Sequence, residues 1–527
     1  MTSSTAPRER RVPRLPRLPR IPGFRAIAAA VTVGALAVAL SACGAPAAGG
    51  TASAAPAIFK VGINDPGGDI DPTTVADYNA MIVTGLASDG LVGVDAKGGL
   101  FPRLGTKWEP SADGLTWTVT LREGAKFNDG TPVTAKDVAA TFETIIAPDS
   151  TSPGKSSFAG VLDHAAPNSD GTAVDFTLIR PFSDFPRLLS GANVNILPAG
   201  YKPGDWLKHP IGAGQFVLDS YTPGQGAKYS KNKDYWDAKD IHLDGVELKI
   251  YADPQATLLA FQAGEIDRIG LTSEVRSAVD VSKYDTVSSG YNKFDGIFLN
   301  QSVAPFNDPT IREALAWAID RKALVKDVYD GAADVANDSV YFPNYDVQPK
   351  GLEQREQNLP KVAQLLNGRT VSFTITTANQ LYGEVLQQQL NAVPGFDVKL
   401  SVLTSPQYYA DGDDSPWLNA PLTITNWAAR TPSQYVGLIF TTGAAWNASH
   451  YSNPTLEQAS AAFDATTDNA ERQKYVNEIA GIEWKDLAVI VPTFARAEVL
   501  QNKRIEGTFK GVFDFPTGFA LTGISIK

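Results

Sequence analysis

Hydrophobic and polar positions alternate most cleanly between Thr116 and Leu121. Trp117, Val119 and Leu121 fall on one face and three threonines on the other. A period of two predicts a half-buried strand of an antiparallel sheet. Asp113-Gly114 before it and Asn128-Asp129-Gly130 after it are turn formers, with glycine free to take positive φ. Thr134 has Asp137 three residues on, a short capping box. Val138, Phe142 and Ile145 then recur at helical spacing, so the stretch predicts strand, turn, strand, turn, capped helix. Val174, Phe176 and Leu178, alternating with Asp175 and Thr177, predict a second hairpin.

Elsewhere the period changes. Residues 59–63, 371–376, 398–403 and 422–426 predict strands, and residues 76–86 and 380–390 predict helices. Strands separated by helices point to a partly parallel α/β sheet. Residues 294–300 and 488–494 predict two buried strands far apart in the chain. Asp253-Pro254, Asp308-Pro309, Asn453-Pro454 and Asp468 with Glu471 mark helix starts. Pro210 to Phe216 is glycine-rich, but strand rather than helix follows and no Lys-Ser/Thr does, so a phosphate cradle is not indicated.

Composition changes the picture at the N-terminus. Residues 1–25 carry seven arginines and one acid, and residues 26–40 are a largely apolar run. As a helix that run spans about 22 Å, short of the ~30 Å hydrocarbon core, so it predicts a secretory signal. Leu40-Ser41-Ala42-Cys43 closes it and resembles a bacterial lipobox, which implies cleavage before Cys43 and its lipidation. Cys43 is the single cysteine, which leaves no intrachain disulfide. Gly44 to Pro56 contains only small residues and proline and is expected to be a flexible tether. The whole chain has a formal charge of −11, and without residues 1–42 it has −17. Such acidity argues against nucleic acid or anionic lipid as a partner.

Trp108, Gly114 with Trp117, Leu121-Arg122, Lys126-Phe127, Asp129-Gly130-Thr131-Pro132 and Ala135-Lys136-Asp137-Val138 together resemble the peptide- and nickel-binding family of ABC-importer solute receptors. Asn232 to Trp236, Gly264 to Asp267 and Ile311 to Arg321 extend the likeness over most of residues 59–527. The resemblance implies an α/β, two-lobed, periplasmic-binding-protein-like fold with hinge crossings and an inserted accessory domain in lobe one. It implies a signal peptide at 1–42, a lipidated tether at 43–57, lobe I from 58–99, 206–297 and 493–527, an accessory domain at 100–205, and lobe II at 298–492. The expected protein is an exported, extracytoplasmic receptor, lipid-anchored to the outer face of the cell membrane or placed in the periplasm. It would bind an oligopeptide or peptide-like solute between its lobes as a monomer and deliver it to an ABC permease. No cofactor and no catalysis are expected.

Ligands of open α/β sheets bind beyond the carboxyl ends of strands. The 422–426 strand runs into Trp427-Ala428-Ala429-Arg430-Thr431-Pro432-Ser433-Gln434-Tyr435, the leading site candidate. Trp427 offers a flat apolar wall and Arg430 a fork for a carboxylate or phosphate, with Tyr435 beside them. The alternative is that Trp427 packs between sheet and helix and Arg430 is solvated. Tyr409, Trp417 and Asn447, with Tyr408 and Trp446, are weaker candidates on loops near strand ends. Tyr78 follows the Asp71-Pro72 loop, which the resemblance places at the cleft mouth. Peptide-binding members of the family carry an aspartate shortly after the tryptophan, for the ligand's α-amino group; Thr431 to Gln434 has no acid. A neutral or anionic ligand fits better: an oligosaccharide, a modified peptide or a small conjugate. Asp411-Gly412-Asp413-Asp414 lacks the distal acid of a calcium loop, and the four histidines have no metal spacing, although a nickel complex on one of them stays open. Gly-x-Ser-x-Gly, His-Glu-x-x-His and a cysteine nucleophile are all missing, whereas paired-carboxylate hydrolysis needs no fixed spacing. A scaffold or sensory lipoprotein on the same fold is the third alternative.

Overall fold

The computed structural model describes residues 55–67, 70–204, 206–410, 412, 415–507 and 519–527. Cys43, residues 1–42, and Asp411, Asp413 and Asp414 lie outside them. A twelve-stranded sheet organises the rest. Its main path runs Phe396–Val402, Val371–Thr377, Leu422–Ala428, Asp285–Leu299, Thr493–Gln501, Arg268–Gly270, Ile58–Asn64, Gly245–Tyr251, Gly226–Lys231, Phe216–Thr222. The fold is mixed α/β and two-lobed. Val371–Thr377 is parallel to both of its neighbours, and Ile58–Asn64 is parallel to both of its own. The two ends of the path are joined through one long antiparallel pair, Asp285–Leu299 and Thr493–Gln501.

These crossing strands differ from the sequence expectation in length. Asp285–Leu299 begins nine residues before Phe294, because its first half pairs with Thr493–Gln501 and its second half, Lys293 to Leu299, pairs with Leu422–Ala428. The return strand breaks at Val491-Pro492, between Val489–Ile490 and Thr493–Gln501; proline has no N–H for the ladder. The helix expected from residue 76 begins at Tyr78, because the Asp77 carboxylate accepts the N–H groups of Asn79 and Ala80 and caps it.

A separate four-stranded antiparallel sheet runs Gly105–Pro110, Thr116–Leu121, Ala173–Leu178, Leu162–Pro167. Helix Ala135–Ile146 lies on it. Asp137 Oδ2 accepts from Thr134 N at 2.8 Å and Thr134 Oγ1 at 2.6 Å, closing the capping box. Val138, Phe142 and Ile145 pack on Trp117, Val119 and Phe176 in one core. A second core holds Phe294, Phe342, Trp427, Tyr435, Phe463 and Phe494.

Helix Asn469–Asp486 carries Glu483 into that neighbourhood, 2% exposed. Its Oε2 accepts the Val340 N–H at 3.4 Å and its Oε1 has no partner among the described residues. Burial pushes this carboxyl up to about 8, and the Val340 N–H only partly opposes it. The folded chain thus holds a proton that the unfolded chain releases near 4.5. Stability from this group is fully present below that value and is lost as pH rises through about 8. Glu483→Gln is expected to flatten the fall in melting temperature between pH 5 and 9; parallel curves for the two proteins would assign the fall to other groups.

Candidate ligand-binding cleft

A cleft of about 320 Å³ opens between the two cores just described. That is at the lower end of small-molecule sites. One wall is the strand end Ala428 to Gln434, with Tyr291 and Asn292 beside it and Val340 and Phe342 below. The other wall is Asp95, Gly98, Ser157 and the turn from Arg187 to Gly191.

The first wall is built from local chemistry. Leu422–Ala428 runs two residues beyond the expected strand, because Trp427 and Ala428 still pair with Phe294 and Lys293. Pro432 then opens helix Pro432–Tyr435. Thr431 caps it in a box with Gln434: Thr431 Oγ1 accepts Gln434 N at 3.3 Å, and Gln434 Oε1 accepts Thr431 N at 3.0 Å. The buried Tyr435 hydroxyl donates to Ala428 O at 2.6 Å and accepts Arg430 N at 3.1 Å. This clamp fixes the backbone that presents Arg430. The Arg430 guanidinium donates one bond to Ala428 O at 3.1 Å and lies 5.6 Å from the Trp427 ring centre. No ion pair joins it to a carboxylate among the described residues.

The opposite wall supplies a second cation. Arg187 donates to Gly98 O at 2.9 Å and sits over the Tyr345 ring at 5.1 Å. Asp95 is the acid of the lining, and its Oδ1 accepts the N–H groups of Lys97 and Gly99 at 2.8 and 2.9 Å. It shapes a turn. Gly98, at φ +82°, lets the backbone approach Asn344 closely: a Cβ there would stand 1.7 Å from Asn344 O. Asn292 lines the cleft, and its buried Oδ1 has no hydrogen-bond donor among the described residues. The cleft therefore offers two guanidinium groups, side-chain amides and hydroxyls, and an aromatic floor.

Among the expected site residues, the structure brings Trp427, Arg430 and Tyr435 together, but only Arg430 borders the cleft. Trp427 does not stand as an exposed wall. It is 4% exposed, packed against Phe298, Tyr435 and Trp446 at centroid distances of 5.9, 6.2 and 5.8 Å, because the extended strand turns it into the core. Tyr435 is fully buried behind the wall. Tyr409 and Trp417 pack on each other at 5.7 Å, with Tyr408 buried beneath, away from the cleft lining. Asn447 staples its own loop, donating to Thr441 O and Tyr451 O at 3.2 and 2.7 Å. Tyr78 lies apart, edge-on to Phe519 at 6.1 Å. Asp71 is buried and accepts the Tyr201 hydroxyl and the Gly204 N–H. The residues missed from sequence are Arg187, Asp95, Tyr291, Asn292, Phe342 and Asn344. The aromatic-rich run Tyr341 to Tyr345 was the one local hint.

Residues 99–449 match the family model described as bacterial extracellular solute-binding proteins, family 5 Middle. The chain belongs to that family. It is a solute-binding receptor of the kind that serves ABC importers. The glutathione-binding protein GsiB of Escherichia coli O1:K1 / APEC is 28% identical over 458 residues, covering 83% of this chain and 89% of the relative. The periplasmic murein tripeptide-binding protein MppA, in its unliganded open form, superposes with a TM-score of 0.77 at 19% identity, covering 90% of this chain and 98% of the other. DppA from Helicobacter pylori, in complex with the peptide STSA, gives 0.69 at 22% identity, with coverage of 89% and 98%. Among the described residues no helix is long and apolar enough to cross a membrane, and no group of three or more metal-ligating side chains is assembled.

Proposed function

We propose that the receptor binds a small peptide-like solute carrying a carboxylate or comparable anionic group, with Arg430 as the main partner. The observation that carries this is Arg430 itself: a cation clamped at the strand end, bordering the cleft and without an ion-pair partner among the described residues. Thr431 to Gln434, after the tryptophan, has no acid, so a ligand's anionic end, not its amine, is favoured at this point. The likeness to a glutathione-binding relative agrees in kind, since that peptide is small and carries carboxylates. Binding and release through lobe closure need no covalent chemistry.

The lipid anchor belongs to the same proposal. Cys43 carries the lipid after removal of residues 1–42, residues 43–57 tether the receptor, and the lobes divide at the boundaries expected above; a monomer hands its solute to membrane permease subunits. Mass spectrometry of the N-terminal peptide from membrane extracts checks the lipid.

The site is tested by titrating glutathione, its diethyl ester, a tetrapeptide and an oligosaccharide into wild type and Arg430→Ala by calorimetry. A charge-assisted hydrogen bond contributes about 1.5–3 kcal/mol, so the variant is expected to bind the anionic solute roughly 10- to 150-fold more weakly, with its melting temperature little changed. Equal affinities of the two proteins for every anionic probe that binds would remove Arg430 from the site. A non-peptide solute is favoured instead if only the oligosaccharide binds.

A further inference from the structure

The cores on either side of the cleft also meet along a charged seam. The segment from Arg180 to Arg187 belongs to the core of the four-stranded sheet, in which Phe182 and Phe185 are buried. Facing it are Tyr345 and Phe463 of the core that contains Trp427. Along the segment the charges read plus, minus, plus: Arg180, Asp184, Arg187. Opposite them stand Asp464, Arg472 and Asp346, minus, plus, minus.

Each pair makes contact. Arg180 Nη1 lies 2.6 Å from Asp464 Oδ2. Arg472 Nη2 donates to Asp184 Oδ1 at 2.8 Å, and the Tyr345 hydroxyl donates to the other oxygen of Asp184. Arg187 Nη2 is 3.8 Å from Asp346 Oδ1. The side chains of Asp184 and Asp464 are each 4% exposed and that of Arg472 8%. The backbone joins in: Ser183 N donates to Asp464 O at 2.9 Å, and Ser183 Oγ donates to Phe463 O at 3.2 Å.

The seam is tied to the wall that carries Arg430. Ser433, between the cleft-lining Pro432 and Gln434, donates to Asp464 Oδ1 at 2.5 Å. Tyr345 and Arg187 both border the cleft. A buried charge that loses its partner is strongly disfavoured unless it regains water. The buried Asp184, Asp464 and Arg472 therefore have two stable arrangements, paired with the walls together or hydrated with the walls apart, while Arg180 and Asp346, 44% and 52% exposed, keep contact with water in both. Alternating signs also reject a slip by one position, which would set like charges together.

We propose that this seam is a closure latch: three pairs of alternating sign register and hold the cleft walls, and so govern how long a solute is retained, chiefly through positioning residues outside the cleft lining. The test needs no solute, so it succeeds or fails independently of the role given to Arg430. Spin labels at Glu123→Cys and Lys474→Cys, in a chain with Cys43→Ser, report the separation of the two cores by electron–electron double resonance. The wild-type distribution is expected to include the short separation of this structure. Asp184→Arg is expected to raise the open-to-closed ratio about tenfold or more. Asp184→Arg combined with Arg472→Asp should return it to within about threefold of wild type, because sign complementarity is restored. A seam that merely packs would be harmed by both changes, so a double variant more open than either single one overturns the latch. A wild-type distribution without the short separation overturns it as well. Two milder variants guard against misfolding: Tyr345→Phe, which removes one hydroxyl, and Arg180→Gln, which removes one charge. Each is expected to shift the ratio toward open by about threefold, and no shift in either also overturns the latch.

Discussion

Asp338→Ala is expected to destabilise the receptor by about 3–5 kcal/mol, the typical cost of leaving buried charges without their partner. Asp338 is fully buried. Arg321 Nη2 donates to both of its oxygens, at 2.8 and 2.9 Å, and Arg355 Nη1 donates to Oδ2. Arg355 is held between the rings of Trp317 and Trp484, at 5.1 and 4.0 Å, and donates to Trp484 O at 3.0 Å. Neither guanidinium can swing out to water. Alanine would leave two cations facing each other with no anion between them. Asp338 also sits at φ +58°, which asparagine tolerates better than alanine. Asp338→Asn therefore isolates the charge from the backbone effect, and is expected to recover part of the loss. Denaturant unfolding of the three proteins measures both contributions. An Asp338→Ala midpoint equal to wild type would mean that the two arginines are satisfied by other groups. Because Val340, Phe342 and Tyr345 follow Asp338 onto the cleft floor, solute affinity is expected to fall with stability.

Much of the local structure was legible because its causes are local. The Thr134–Asp137 box, the caps at Asp253, Asp308 and Asp468, and the alternation from Thr116 to Leu121 need only neighbours within a few residues. Element lengths were less legible where a distant strand decides them. Nothing within the 294–300 segment shows that the strand begins at Asp285; its partner lies two hundred residues on, in Thr493–Gln501. The cleft divides in the same way. Arg430 was readable, since it follows a recognisable strand end. Arg187 and Asn292 were not, because only the topology brings them opposite it. The charged seam is the extreme case: Arg180 and Asp464 are 284 positions apart, and neither stands in a pattern that points to the other. Trp427 illustrates a subtler failure. A tryptophan at a strand end reads as a wall when the strand stops before it, and as core when the strand continues, and the difference is one pair of ladder residues.

Trp427→Ala is therefore expected to act first on stability and only through it on binding. Truncating a buried tryptophan costs about 3–5 kcal/mol from lost burial and the cavity left behind. Here the cavity would open beside Phe298, Tyr435 and Trp446. Tyr435 is the residue whose hydroxyl clamps Ala428 and Arg430, so a shift of its ring would loosen the presentation of Arg430 as well. The variant should lose several degrees of melting temperature along with solute affinity. Trp427→Phe should recover most of both, since an aromatic ring still fills the core. Arg430→Ala should show the opposite pattern, weak binding on an intact fold. The pair of variants separates two roles that the sequence left open. If Trp427→Ala melts like wild type yet no longer binds solute, the indole contacts the solute directly. If both melting and binding fall, and phenylalanine restores them, the tryptophan is the support behind the wall and Arg430 is its working face.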